Sequence, residues 1–203
     1  MNFDIKKLPK ASIYNLMTQV IIPRPIAWVL SENENGTHNL APFSFFNGVS
    51  SEPPVISISI GSKRDGTPKD TFENILNRTH FTIHIPGKND LLPMVGSSKP
   101  FDRNVSEVSE LNLNLDKAKN GLTFDGHENY VVLENQPISL FARYYKHIEI
   151  GAQNFLFGEI EYVHIDDSIL EGERISWSKF NPLCRLGYSD YSVVDSSFEQ
   201  GRL

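Results

Sequence analysis

Residues 53–61 read PPVISISIG, alternating isoleucine with serine. Period-two alternation places Ile56, Ile58 and Ile60 on one face of an extended strand and Ser57 and Ser59 on the other, a division that a helix of 3.6 residues per turn would scramble. Such a strand needs a sheet with an apolar side, and the rest of the chain supplies its partners. Residues 26–31 (IAWVLS) are β-branched and aromatic; the turn residues ENENG (32–36) follow, and THNLAPF then resumes an extended run, which is a hairpin pattern. HFTIHIP (80–86) alternates again. The long runs 130–151 and 154–166 are rich in the residue types that pack well on a pleated surface. These segments predict a largely antiparallel sheet in a mainly β chain, closed into a small barrel because closure removes exposed edges.

Helices are expected to be few and short. Residues 11–20 form an amphipathic segment that PRP (23–25) stops, since proline lacks an amide donor and restricts its predecessor. GTPKDTFENILNR predicts a helix beginning near Thr67, with Thr67 as N-cap and Pro68 at the first helical position, and with Phe72, Ile75 and Leu76 at helical spacing. NDLLPMVGSS reads as a further short helix. The polar stretch 99–129 has little periodicity and reads as a long excursion. No repeat or linker divides the chain, so residues 1–203 are expected to form one domain.

Charge and composition exclude some functions. With 203 residues, 39% hydrophobic content and a formal net charge of −6, the chain can bury a core but has no basic field to draw it to nucleic acid or anionic lipid. Cys184 is the only cysteine and no apolar leader follows the N-terminal basic residues, which points to a reducing cytoplasm. No apolar run approaches the roughly 20 residues that span a bilayer as a helix.

Metal and nucleophile signals are weak. His80 and His84 would share one strand face, but His38, His127, His147 and His164 are scattered, and neither HExxH nor paired CxxC occurs, so no metal site is expected. Cys184, in NPLCRLG, reads as a small buried hydrophobe. No GxSxG elbow is present.

Two stretches carry more. Residues 61–71, GSKRDGTPKDT, put two lysines, an arginine and hydroxyls before a helix start, where free amides favour phosphate; a solvated turn with a helix cap is an equal reading. Residues 39–49, NLAPFSFFNGV, set Ser44 and Asn47 among Phe43, Phe45 and Phe46. Apolar walls with a few hydrogen-bonding groups suit a flat heteroaromatic ligand, though three phenylalanines also simply fill a core.

In order along the chain, PRPIAWV, NLAPFSFFNGVSSEPPVISISIG, RDGTPKDTFENI, FGEIEYVHIDDSIL and NPLCRLGYSDY resemble the flavin reductase-like FMN-binding split barrels, a family that includes flavoredoxin-type proteins and reductase components of two-component monooxygenases. The resemblance implies a Greek-key split β-barrel with a few short helices, a homodimer, and FMN in a groove near the subunit interface. It implies a flavin ring beside Ser44, Phe45, Phe46 and Asn47, with Arg24 and Ser59 close by. It assigns the phosphate to the neighbourhood of Lys63, Lys69, Asp70 and Thr71, with Lys69 as charge partner, Thr71 as donor and Asp70 as a capping or lysine-orienting residue. His147 and Arg185 are candidates for a place near the flavin.

The implied activity is that of an FMN-dependent oxidoreductase passing electrons from a reduced donor, NADH or NADPH among the options, to free flavin, a metal complex or a partner protein. A flavin-binding or electron-carrying module without turnover is the alternative, and a barrel that has lost its cofactor is a third. Many such reductases carry an Asp-His pair just before the FxGE strand; here Ala152 and Gln153 stand there, which separates FMN binding from nicotinamide use.

Overall fold

The computed structural model describes residues 1–117 and 130–201; His127, and the last part of the expected excursion, lie outside them. From the N-terminus, α1 (Lys10–Val20) leads into β1 (Arg24–Pro25), β2 (Ala27–Glu32), β3 (His38–Phe43), β4 (Phe46–Ser51) and β5 (Pro54–Gly61). α2 (Asp70–Arg78) and β6 (His80–His84) follow, then α3 (Leu91–Gly96), α4 (Glu107–Glu110), β7 (Leu115–Lys117) and β8 (Val131–Leu133). β9 (Ile138–Ile150) and β10 (Gln153–Ile165) form the longest hairpin, and β11 (Leu170–Glu171), β12 (Arg174–Ile175), α5 (Trp177–Phe180), β13 (Leu183–Arg185) and β14 (Tyr191–Val193) complete the described chain.

The main sheet has seven strands in the order β3-β2-β6-β9-β10-β5-β4, and every pairing in it is antiparallel. Its two outer strands, β3 and β4, are consecutive in the chain and joined only by Ser44 and Phe45. The sheet therefore curls until its edges meet, and the split in this barrel lies at Ser44–Phe45. The Ser59 amide donates to the Phe45 carbonyl at 2.9 Å, tying the junction to β5. Pro42 lies on β3, an outer strand, where a missing amide leaves no gap in the interior of the ladder.

Alternation in β5 works as the sequence predicts: Ile56, Ile58 and Ile60 enter the barrel interior with Val29, Phe81, Ile83, Ala142 and Leu156. Each fully buried isoleucine contributes roughly 1.5 to 3 kcal/mol relative to an exposed one. α2 closes this interior with Phe72 and Ile75. By contrast β2 is buried on both faces. Ala27 and Val29 face the interior, while Ile26, Trp28 and Leu30 join Leu40, Met94, Val108, Leu133 and Leu183 in a second apolar layer, which is why residues 26–30 (IAWVL) are continuously apolar.

Two expectations need correction. The helix starts at Asp70 rather than near Thr67, with Lys69 as N-cap. The Asp65 carboxylate accepts from both the Thr67 amide (3.0 Å) and its hydroxyl (2.7 Å), and Pro68 bridges Ser62, so this segment closes a turn before the helix begins. The stretch after Lys99 is not structureless: Ser106 caps α4, and β7 pairs with β8. The Glu107 carboxylate accepts from the Leu40 amide at 2.9 Å, a tertiary contact that hydrophobic periodicity does not reveal.

His84 is fully buried, with one ring nitrogen on the Ser139 hydroxyl (2.9 Å) and the other accepting from the Leu133 amide (3.2 Å), the pattern of a core histidine. Cys184 is buried on β13, and burial pushes its thiol pKa up. No helix among the described residues is long and apolar enough to cross a membrane.

Candidate functional site

The polar residues of NLAPFSFFNGV have separate tasks. Asn39 is buried, and its side-chain amide donates to the Thr71 hydroxyl oxygen at 2.8 Å and to Ser31 at 3.4 Å. Asn74 donates to Ser31 and to Asn33 (2.8 Å), so a polar network locks α2 onto the β2–β3 hairpin. Buried polar groups need such partners. Thr71, expected to be a phosphate donor, is thus an anchor through its side chain; its amide belongs to the first turn of α2.

Around the barrel split, Arg24 is buried and donates to the carbonyls of Thr18 (2.5 Å), Ile21 (2.7 Å) and Leu186 (2.7 Å), with its Nε 3.5 Å from the Ser44 hydroxyl. It closes the C-terminal end of α1, where carbonyls lack intrahelical donors, and ties that end to the segment after β13. Its guanidinium carbon lies 5.9 Å from the centre of the Phe45 ring. Arg24, Ser44 and Phe45 are therefore together. Phe46 turns inward against the barrel core instead. Asn47 sits opposite Ser57 on the outer face that also carries Ser59, with its side-chain carbonyl accepting from the Gly48 amide at 2.9 Å.

A cavity of about 350 Å³ opens beside the split, walled by Tyr14 and Thr18 of α1, by Arg24, Phe43 and Ser44, and by Arg185, Tyr188 and Tyr191. Phe43 borders this wall, while its side chain belongs to the buried barrel core and its ring lies 5.5 Å beneath the Lys69 ammonium. Desolvation there lowers the Lys69 pKa from its ordinary value. Beyond Lys69 begins α2, whose N-terminus has no side-chain cap; the Phe72 amide donates to the Lys69 carbonyl at 2.9 Å, and the Asp70 and Thr71 amides before it lack intrahelical acceptors. Lys63 is different: its ammonium lies 2.7 Å from the Asp70 carboxylate, and the pair is largely neutral.

The remaining candidates are placed as follows. His147 faces α2, with Nδ1 2.8 Å from the Tyr144 hydroxyl and its ring edge-on to Phe72 at 5.2 Å. Arg185 lines the cavity and stacks on Tyr191, 4.3 Å from the ring centre. Gln153 begins β10, where its side-chain carbonyl accepts from the Ser59 hydroxyl at 3.2 Å. The space over Gly61 admits it, since a Cβ there would stand 3.2 Å from the Gln153 amide nitrogen. Tyr14, Tyr188 and Tyr191 were not picked out by sequence, where no local pattern marks them.

The chain is similar to known proteins over most of its length. The flavin reductase like domain matches residues 17–190. A protein from Aquifex aeolicus is 30% identical over 192 residues, covering 94% of each chain. Among solved structures, nitrilotriacetate monooxygenase component B from Bacillus cereus superposes with a TM-score of 0.89 at 26% identity, covering 98% of both chains. The 2-nitrobenzoate 2-nitroreductase of Pseudomonas fluorescens gives 0.86 at 25% identity, over all of this chain and 96% of the other. With the split barrel in place and the match running from α1 past β13, this chain belongs to the flavin reductase like domain family.

Proposed function

We propose that the chain is an FMN-dependent oxidoreductase of the flavin reductase type, taking electrons from a reduced donor and passing them to free flavin, a metal complex or a partner protein. The observation that carries this reading is Lys69 at the N-cap of α2, whose ammonium lies over the ring of Phe43, the residue that precedes the Ser44–Phe45 split, at a helix start with no side-chain cap. It sets a cation and helix-start amides near the split that carries Ser44 and Phe45. A flat ring joined by a short polar chain to a phosphate has that shape and charge distribution.

The residues fit that ligand unequally. Lys69 supplies the charge for the phosphate and the amides at the start of α2 supply donors. Asp70 orients Lys63, whose charge it offsets. Ser44 and Phe45 present a hydroxyl and an aromatic face at the split, and the outer-face groups Ser59 and Asn47 border it. Arg24 acts mainly as a positioning residue that holds α1 against Ser44. When bound, FMN supplies the capacity to accept a hydride and release electrons; the chain's part is to orient the ring, exclude water and hold charge near it.

A homodimer accompanies this reading. α1 buries only Thr18, and its Tyr14, Met17 and Val20 are exposed, as are Val49 on β4 and Ile148 and Ile150 on β9. Apolar surface of that extent calls for a cover, and a second copy supplies one beside the split.

The deciding experiment is the visible spectrum of freshly purified protein, followed anaerobically after adding NADH or NADPH. Flavin bands that bleach support turnover. Bands that persist with both donors favour a flavin-binding module, and failure to bind FMN at all overturns the reading.

A further inference from the structure

Glu107 is 7% exposed, and its carboxyl has no part in the site described above. It accepts from the Leu40 amide at 2.9 Å, and among the described residues no cation forms an ion pair with it. The residue before it completes the contact, since the Ser106 hydroxyl donates to the His38 carbonyl at 2.6 Å. β3 is an outer strand, and an outer strand presents a row of unpaired amides and carbonyls. Ser106 and Glu107 thus stand in for a neighbouring strand at His38 and Leu40. Further contacts make residues 103–107 a strap: Arg103 pairs with Glu73 of α2, and the Asn104 carbonyl accepts from the Asn35 side-chain amide at 3.2 Å. Asn39, between His38 and Leu40, donates to Thr71 in the first turn of α2 at 2.8 Å. Strap, β3 and the start of α2 form one chain of contacts that ends beside Asp70 and Lys69.

A buried carboxylate without a cation is unfavourable, and the carboxyl keeps its proton instead. Desolvation accordingly holds Glu107 up at about 7; the Leu40 amide opposes the rise, the Asp70 charge adds to it, and Lys63, already engaged by Asp70, lowers it. The other charged groups around the strap are the Arg103–Glu73 pair, the exposed Glu110 of α4 itself, and His38 on β3, which burial keeps below its ordinary pKa against the charge of Glu32.

We propose that the strap is a proton-controlled clamp on the start of α2: with Glu107 protonated it closes on β3, and with Glu107 ionised it releases β3 and weakens anion binding beside Lys69. The second half rests on the phosphate reading given under Proposed function. Two physical routes join the sites. A charge on Glu107 adds to that of Asp70 in repelling an incoming anion, and loss of the Leu40 contact frees the strand whose Asn39 holds Thr71. A group that keeps its proton in the closed state and loses it on release closes the clamp below about pH 7 and opens it above. The ligand's own titration runs the other way, because a phosphate monoester becomes more anionic as pH rises through about 6. Lys69, which desolvation holds below its ordinary pKa, is common to parent and Glu107→Gln, so comparing the two cancels its contribution.

Hydrogen exchange of the Leu40 amide in the purified protein, corrected for the intrinsic rate, reads the clamp directly. Its protection is expected to be at least about fivefold lower at pH 8 than at pH 6 in the parent, and equal at both in Glu107→Gln. Ser106→Ala, which removes a strap contact but no titrating group, is expected to lower protection by the same factor at both pH values. Fluorescence titration with FMN reads the coupling: between pH 6 and pH 8 the parent is expected to lose at least about threefold in affinity relative to Glu107→Gln, and the corresponding loss for riboflavin to be smaller. Leu40 protection that is independent of pH in the parent, or that falls equally in Glu107→Gln, overturns the clamp. An FMN affinity with the same pH dependence in parent and variant overturns its coupling to α2. Absence of FMN binding at either pH overturns the flavin reading instead, and Leu40 exchange alone then decides whether the clamp stands.

Discussion

Lys63 and Asp70 face each other across the turn that precedes α2, with 2.7 Å between ammonium and carboxylate, whereas Lys69 has only an aromatic ring beneath it. Two lysines that look equivalent in sequence are thus unequal toward an anion. Lys69→Ala is expected to weaken FMN by about 1 to 3 kcal/mol and riboflavin by less, since only FMN has the phosphate. Lys63→Ala should cost less than Lys69→Ala. Fluorescence titration with both ligands checks this; equal losses for FMN and riboflavin would remove the phosphate from this segment.

Burial pushes the Glu107 carboxyl up to about 7, with the Asp70 charge adding to the rise and the Leu40 amide opposing it. A folded-state pKa above the unfolded one means that the native protein holds a proton the unfolded chain has lost. Stability then falls as pH rises from about 4.5 to about 7, and the penalty above that is at most roughly 3 kcal/mol. Glu107→Gln keeps an acceptor for Leu40 and removes the charge. The variant is expected to exceed the parent by about 1 to 3 kcal/mol in urea denaturation at pH 8, with the gap closing near pH 4.5. A gap independent of pH would show that Glu107 titrates normally.

Gln153 offers a neutral amide whose carbonyl Ser59 already occupies, and an amide has no titrating ring to place near a nicotinamide. Oxidation of NADH by the FMN-loaded protein is expected to be slow, and the Ala152→Asp, Gln153→His double variant faster at equal FMN occupancy. Stopped-flow absorbance reads both. Rapid oxidation by the parent, unchanged in the variant, would place the nucleotide contact elsewhere.

Met17 is 41% and Val20 66% exposed on a helix that turns only Thr18 inward. If a second copy covers them, the Met17→Glu, Val20→Glu variant is expected to shift light scattering from a dimer toward the 23.0 kDa chain. A parent that is monomeric with FMN bound would refute the dimer.

Gly158 lies where β10 crosses the barrel core, and a Cβ there would sit 2.6 Å from the tip of the Phe81 ring and 3.3 Å from Ile56. Gly158→Ala is expected to destabilise the fold by about 1 to 3 kcal/mol, because the ring must shift within a close-packed interior. A denaturation midpoint equal to the parent's would show that Phe81 has room to move.

Local pattern alone determined the strand segments, the inward face of β5, the β2–β3 hairpin and the presence of a helix after the KDT segment, because side-chain period and turn chemistry act over a few residues. The basic segment before that helix and the polar groups among phenylalanines were visible for the same reason. Only the tertiary structure decided what each polar group does. Asn39 meets Thr71 across 32 residues of chain and makes that side chain an anchor of α2. Phe46 and Phe45 are neighbours in sequence, yet the change of strand between them sends the first into the core and leaves the second beside Arg24. Arg24 and Arg185 become a facing pair solely through the register of β1 on β13. Register and closure depend on which distant apolar faces can be buried together, and no stretch of a few residues contains that information.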